Sequence, residues 1–231
     1  MKKSWKYAIV FAFLIVICLA LPTQAATKAN YSIKSYTKNY KYKTASYEYL
    51  FQLPQLKGSS SAVTKINKSL KALYTNDKKV TSNLKKLVDN YGSYNRKMPL
   101  FCKTTCKCTY NKNNVVSFCF YSDWFGGGVH NASNFGATFS LKTGKKLTLT
   151  SLAKGSSFKD IKNKILSEFN KTYSNCYGKS RAAELKPNIL NRKDSDFAYY
   201  IKPGKVVVSF GAYGPIGHNG EHPVTITGKY K

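Results

Sequence analysis

The chain has 231 residues, of which 38 are lysine or arginine and 10 are aspartate or glutamate, so its formal net charge is +28. This length is enough for one large domain or two small ones with a buried core. Such a charge predicts long-range, salt-sensitive attraction to polyanions. The small number of carboxyl groups argues against enzymes that work with paired carboxylates.

The first 25 residues have the pattern of a Sec-type signal peptide. Lys2, Lys3 and Lys6 form a basic segment, an apolar run continues to about Leu21, and small residues end at Ala25. The apolar run is short for a membrane span of about 20 residues. We therefore expect cleavage near Ala25, a secreted or cell-wall-associated product of about +25 and no stable membrane span. Export makes wall polyanions the expected partners and disfavours nucleic acid.

A strand and a helix are predicted before residue 90. Apolar side chains alternate at a period of two from Tyr47 to Leu53, which predicts a strand that ends at Pro54. Serines at 59–61 then begin an amphipathic helix whose apolar positions recur at spacings of three and four to about Asn90. The tyrosines and lysines before residue 47 are interpreted as strand residues with solvated lysines, not as a base-stacking surface.

Four of the six cysteines lie in a predicted β-hairpin. In FCKTTCKCTYNKNNVVSFCFYS, two strand-like runs flank NKNN, which has the composition of a turn. A turn centred within NKNN places Cys106 opposite Cys119 at about 4.5–5.5 Å between Cβ atoms, so this pair is the predicted disulfide. A one-residue change in the turn would move the pairing. The spacing of these cysteines disfavours a zinc site, and no histidine context marks a catalytic cysteine.

The segment WFGGGVHNAS joins the hairpin to the next strand. Its glycines lack the spacing of a phosphate-binding loop, so we expect them to supply backbone conformations that other residues resist. His130 is interpreted as a buried imidazole that ties this turn, or alternatively as part of a shared site with His218 and His222. Imidazoles suit zinc, copper or nickel, but the glycines and proline of GHNGEHP disfavour a helix. The three histidines are therefore candidate binding residues, with no metal or cofactor favoured.

The rest of the chain contains strands and helices in blocks. The predicted elements are a strand at 135–141, a short strand at 147–149, a helix after Ser157, a helix over Lys179–Leu190 stopped near Pro187, two strands in 197–213 and a last strand in 222–230. Ser157 and Asp160 have the spacing of a capping box. Because strands and helices do not alternate strictly, we predict an α+β fold of two small subdomains, each an antiparallel sheet with a packed helix.

Three stretches together resemble one family of extracellular domains. YLFQLPQLKGSSSAVTKINKSL resembles its first half, VVSFCFYSDWFGGGVHNASNFGATFSLKTGKKLTLTSLAKG its second half, and FAYYIKPGKVVVSFGAYGPIGHNGEHPVTI its closing strands. The family, whose function is poorly known, occurs as the N-terminal module of PdaC-type peptidoglycan deacetylases and as the ectodomain of RsiV-like anti-sigma factors. After the signal peptide at 1–25, the resemblance implies a PdaC-like subdomain at 26–123 and an RsiV-like subdomain at 124–231.

The resemblance carries no catalytic residue to this chain. The deacetylases act through a separate catalytic domain with a Thr-Phe-Asp-Asp motif that does not occur here, and GHNGEH matches only the spacing of its His-x3-His motif. The RsiV-like proteins capture lysozyme, a basic protein that a charge of about +25 would repel. We predict a non-catalytic domain that binds an anionic wall polymer or peptidoglycan. A binder of a protein partner, such as a lysozyme-like wall hydrolase, is the alternative, and a wall-sugar enzyme is a third.

Overall fold

The computed structural model describes residues 28–128, 130–176, 179–211 and 221–231. The predicted signal peptide and His218 therefore lie outside the described residues. Within these ranges the chain forms a five-stranded sheet, a three-stranded sheet and several helices, which confirms the predicted α+β class with two sheet subdomains. No helix in these ranges is long and apolar enough to span a bilayer.

The first sheet has five strands in chain order. They are β1 (Tyr31–Tyr42), β2 (Ala45–Leu56), β3 (Met98–Lys112), β4 (Val115–Phe125) and β5 (His130–Ser140). Neighbours are antiparallel except for β2 and β3, which are parallel. A parallel pair needs a long crossover, and α1 (Ser61–Asp77) and α2 (Val80–Ser93) supply it and pack on the sheet. The sheet is therefore mixed, whereas the prediction was purely antiparallel.

The predicted alternation of β2 is confirmed, but its end is not. Every second residue from Ala45 to Leu53 is buried, and Ile66 and Leu70 of α1 belong to the same core. Pro54, predicted to end the strand, lies within it. The pairing of β2 with β3 stops at Phe51, so β2 has one neighbouring strand at the proline and tolerates the missing N–H.

The second sheet is antiparallel and follows the predicted strand–turn–strand pattern. It consists of β6 (Ala198–Lys202), β7 (Lys205–Ser209) and β8 (Val224–Thr227), with α3 (Leu149–Leu152), α4 (Phe158–Tyr173) and α5 (Lys179–Leu190) before it. Ser157 Oγ accepts a hydrogen bond from Asp160 N at 3.1 Å, as expected for the predicted cap. The short strand predicted at 147–149 is wrong, because Leu149 begins α3. Helix α5 has the predicted bounds, Lys179–Leu190, but is not stopped at Pro187.

The hairpin of β3 and β4 turns later than predicted. Asn113 and Asn114 form the turn with left-handed φ values of 53° and 58°, so Lys112 faces Val115. Asparagine tolerates this conformation better than most residues, and the turn matches the twist of paired strands. A β-bulge at Thr109 then shifts the pairing back by one residue, which leaves a net error of one residue at Cys106.

The predicted Cys106–Cys119 disulfide rests on a register that is wrong by one residue. Cys106 faces Phe120, and Cys119 faces Lys107. Side chains alternate between the two faces of a strand, so the two thiols lie on opposite faces of the sheet. The hairpin cysteines with free thiols are Cys102, Cys106, Cys108 and Cys119.

Strand β6 lies against the face of β4 and β5 that the helices leave open. A Cβ atom on Gly136 would lie 1.8 Å from the carbonyl oxygen of Tyr199, so the two backbones are in direct contact. Nearby, Ile201 N donates to Ser117 Oγ at 3.2 Å. The predicted boundary between residues 123 and 124 falls inside β4 and does not separate the two sheets, because the first sheet extends to Ser140.

Candidate functional site

The structure places the two described candidate histidines in different surroundings. The side chain of His130 at the start of β5 is 59% exposed, so its predicted burial is wrong. His222 is buried, and its ring packs edge-on against Tyr173. No group of three metal-ligating side chains occurs in the described ranges. The shared site predicted with His218 therefore has no support from the two histidines that the structure describes.

His130 joins β5 to β4 at the surface. Its Nε2 atom contacts Asp123 Oδ1, and the two residues lie on either side of the glycine-rich turn. The imidazole also packs edge-on against Phe101, with 5.6 Å between ring centroids. The His130 side chain thus connects the two ends of the turn, as predicted, but it does so at the surface, through its contact with Asp123. The acid partner could not be identified in the sequence because it depends on strand register.

Gly127 in the same turn has the role predicted for its glycines. Its φ is +94°, and a Cβ atom there would lie 2.4 Å from Tyr91 Oη. Both the backbone conformation and the close approach of the tyrosine therefore require glycine. The turn packs on the end of α2, which explains its composition without a bound phosphate.

The face of the first sheet around Asp123 is not covered by the crossover helices. Lys103 pairs with Glu48 on this face, and Phe101 lies beside the pair on β3. Tyr121 of β4 is 42% exposed. Aromatic rings between charge pairs can contact a partner through both packing and hydrogen bonds.

Glu221 forms a second polar cluster where the two sheets meet. Its carboxylate accepts a hydrogen bond from Asn134 N at 2.7 Å and also contacts the Asn134 amide and the Ser209 hydroxyl. Asn134 lies on β5, the edge strand of the first sheet. The Glu221 carboxylate therefore accepts a hydrogen bond from a backbone N–H at the edge of the sheet. Sequence analysis did not select Glu221, because its partner Asn134 is 87 residues away.

The thiols of the β3–β4 hairpin, of which Cys119 lies near Glu221, are poorly suited to nucleophilic chemistry. Burial and, secondarily, Glu221 raise the pKa of Cys119 to about 11. Burial raises the pKa values of Cys102 and Cys106 to about 12. The thiolate is the reactive form of cysteine, and these pKa values disfavour it at neutral pH. Glu221 thus joins Asn134 of the first sheet to Ser209 of the second.

The acidic side chains of the first sheet subdomain all have partners. Residues 28–146 contain 21 lysines and arginines but only four acids. The contacts are Glu48 with Lys103, Asp89 with Lys85, Asp123 with His130, and Asp77 with the hydroxyls of Tyr49 and Thr104. Ion pairs between described residues therefore engage two of the 21 cationic side chains.

Comparison with solved structures bears on the fold. The chain is similar to a member of the DUF3298 family from Bacteroides fragilis, with a TM-score of 0.60 and 9% identity over 87% of this chain and 90% of that one. A DUF3298 family protein from Pseudomonas aeruginosa gives 0.50 and 11% over the same shares. The fold is that of the DUF3298 structures, a domain of unknown function. No family model matches the sequence, and no curated protein does.

Proposed function

We propose that this chain is an exported, non-catalytic cell-envelope domain that binds an anionic wall polymer. Export is supported by the signal-peptide pattern of residues 1–25. An envelope role is supported by the resemblance to the PdaC-type module and the RsiV-like ectodomain. The observation that carries the proposal is the charge of residues 28–146, where 21 cationic side chains stand against four acids that already have partners.

Unpaired surface lysines favour a polyanion over a neutral polymer. Exposed pairs add little stability and are screened by salt, so the lysine excess is poorly explained by folding. A polyanion that meets many lysines at once releases its counterions, and its affinity then falls steeply as salt rises. Lys65, Lys68 and Lys71 on the outer side of α1 are exposed and available for such contacts.

The proposal is tested by sedimentation of the secreted form with isolated cell walls. Binding should fall more than about tenfold between about 50 and 200 mM salt, the range over which multiple phosphate contacts weaken strongly. Walls stripped of teichoic acid should bind far less protein than intact walls. Equal binding to stripped and intact walls would contradict the polymer as ligand.

A protein partner is the second candidate, and the open face of the first sheet favours it. Tyr121 on this face is 42% exposed. Large aromatic side chains are frequent anchors of protein interfaces. A defined 1:1 complex that persists at moderate salt would support this candidate, whereas loss of all binding on screening would not.

A further inference from the structure

A cleft of about 630 Å³ lies where the start of α1 and the residues just before it meet two distant segments of the chain. Lys28, Lys57 and Lys142 line it together with Ser59 and Ser61, and all five are exposed. Among the described residues that line the cleft there is no acid. Only folding brings these lysines together, because they lie far apart in the sequence.

Asn111 of β3 holds the segment that carries Lys28. Its side-chain amide accepts from Ala29 N at 2.7 Å and donates to Ala29 O at 2.8 Å, which replaces strand pairing at that residue. The next residue, Asn30, accepts a hydrogen bond from Lys57 N at 2.7 Å. The backbones that carry the two lysines are therefore bonded to each other.

Asn67 of α1 binds the backbone next to Lys57 in the same way. Its amide accepts from Leu56 N and donates to Leu56 O, both at 2.9 Å. The turn that carries Lys142 lies directly on α1, since a Cβ atom on Gly144 would be 2.6 Å from Ala62 O. All three lysine-bearing segments are thus fixed by contacts that do not involve the lysine side chains, and the cleft is formed before any ligand arrives.

The lining chemistry defines the class of ligand. Buried Leu56 and Leu141, with half-buried Val63, give the cleft an apolar part below the lysines and serines. A phosphodiester offers charge to the ammonium groups, and a polyol or sugar between the phosphates offers hydroxyls and C–H surface. We propose that this basic cleft binds the polyol-phosphate or sugar-phosphate repeats of an anionic wall polymer, an inference that rests on the proposed function.

A polymer fits better than a single small anion because the basic surface continues beyond the cleft. Exposed Lys65, Lys68 and Lys71 follow along α1 and extend over about 9 Å of helix axis. Lys65 also lies beside the turn of Gly144, which borders the cleft. A chain with repeated phosphates can therefore occupy the cleft and the helix surface together.

The test compares two variants with the same loss of charge. Lys57→Gln/Lys142→Gln removes two cleft cations, and Lys159→Gln/Lys171→Gln removes two exposed cations from α4. Binding of soluble poly(glycerol phosphate) should weaken about tenfold or more in the first variant, as for loss of charged hydrogen bonds. The second should weaken about twofold or less at the same salt. Equal losses would overturn the cleft as the site, while salt-dependent wall binding would still support the proposed function.

Three further probes distinguish a polymer-binding cleft from a small-anion site and from a membrane-binding surface. Failure of the wild-type chain to bind intact walls would remove the proposed function itself. Displacement of the polymer by inorganic phosphate at matched phosphate concentration would overturn a polymer site in favour of a small-anion site. Binding to phosphatidylglycerol vesicles but not to the polymer would make the ligand a membrane surface and overturn the proposal.

Hydrogen exchange on the wild-type chain provides a measurement that does not depend on variants. The polymer should slow exchange of backbone amides at residues 58–62 and 142–145, which border the cleft. Protection confined to the open face of the first sheet or to α4 would place the polymer elsewhere and contradict the assignment.

Discussion

Asp77 ends α1 with its carboxyl group directed at the first sheet. It accepts hydrogen bonds from Tyr49 Oη at 2.9 Å and from Thr104 Oγ1 at 3.5 Å. Burial raises the pKa of Asp77, and the two hydrogen bonds oppose this effect only in part. Among the residues that the structure describes, Asp77 thus forms no ion pair and interacts with the neutral hydroxyls of Tyr49 and Thr104.

Asp77→Asn should change the pH dependence of stability. A pKa raised on folding means that the folded state binds the proton more tightly. The contribution of Asp77 is therefore most favourable at low pH and is lost as pH rises through the folded pKa. Asparagine stays neutral, so the variant should gain stability relative to wild type from about pH 4 to pH 7. Urea denaturation across this range measures the difference.

Asp89 provides a control for that experiment, because its pKa is shifted in the opposite direction from that of Asp77. The hydrogen bond from Lys85, followed by that from Tyr40, lowers the pKa of Asp89. Asp89→Asn should therefore lose stability relative to wild type as pH rises from acid, because the ionised carboxylate favours the folded state. The same trend in both variants would contradict the assigned environments.

Gly136→Ala should destabilise the protein strongly. The new methyl group would meet the Tyr199 carbonyl oxygen at 1.8 Å, and the two strands would have to separate. Overpacking of this kind costs about 3 kcal/mol or more when backbone must move. Gly128→Ala is the control, since no described atom beyond its chain neighbours lies within 4 Å of the position that its new methyl group would take, and we expect a change within about 0.5 kcal/mol. Equal unfolding midpoints in urea would contradict close packing at Gly136.

At the scale of elements, the bulge in β3 determines which of the two hydrophobic cores the side chains before and after it join. Cys106 and Cys108 pack in the core between the first sheet and helices α1 and α2. Tyr110, beyond the bulge, is buried in the core beneath the second sheet. Its hydroxyl donates to the backbone oxygen of Lys231 at 3.1 Å. A regular strand would have kept these three side chains on one face, so one inserted residue links the two halves of the fold.

Asn67→Ala should loosen the connection between α1 and β2. The variant would leave both Leu56 N and Leu56 O without the hydrogen bonds that the amide makes. Buried backbone groups that lose partners cost about 1–3 kcal/mol each, so we expect a loss of about 2–3 kcal/mol in urea denaturation. Lys68→Ala, at an exposed neighbouring position, should change stability by about 0.5 kcal/mol or less. Similar losses in both variants would contradict a bridging role for Asn67.

At the scale of the molecule, the two sheets should unfold together. Tyr110 and Val115 of the first sheet belong to the core beneath the second sheet. Strand β6 also contacts β4 and β5 through Ser117 and Gly136. We therefore expect one cooperative transition, with coincident curves from circular dichroism and tyrosine fluorescence. Two separated transitions would mean that the subdomains are independent.

Local patterns explain how much of this fold could be predicted. The period-two alternation of β2 and the stripe of α1 report burial of one face, so both elements were found. Pro54 does not end its strand, and the single helix predicted to about Asn90 is divided into α1, which ends at Asp77, and α2, because local residue preferences give way to tertiary context. The sequence also indicated that the glycines of the turn supply backbone conformations that other residues resist, and Gly127, with a φ of +94°, does so.

The candidate sites depended on pairings that no local pattern contains. Asp123 meets His130 through strand register, and Glu221 meets Asn134 across 87 residues. The disulfide prediction failed for the same reason, because a turn one residue later and a bulge moved Cys106 to the opposite face from Cys119. Register is a property of paired strands, and a small error in it changes every cross-strand contact.

The sequence by itself determined the lysine excess, the α+β class and the periodic burial of strands and helices, because each depends on composition or near neighbours. The tertiary structure alone decided where Lys28, Lys57 and Lys142 come together, and which acids are already paired. The physical reason is distance along the chain. A cleft built from distant segments arises only when hydrogen bonds such as those of Asn67 and Asn111 bring those segments into contact.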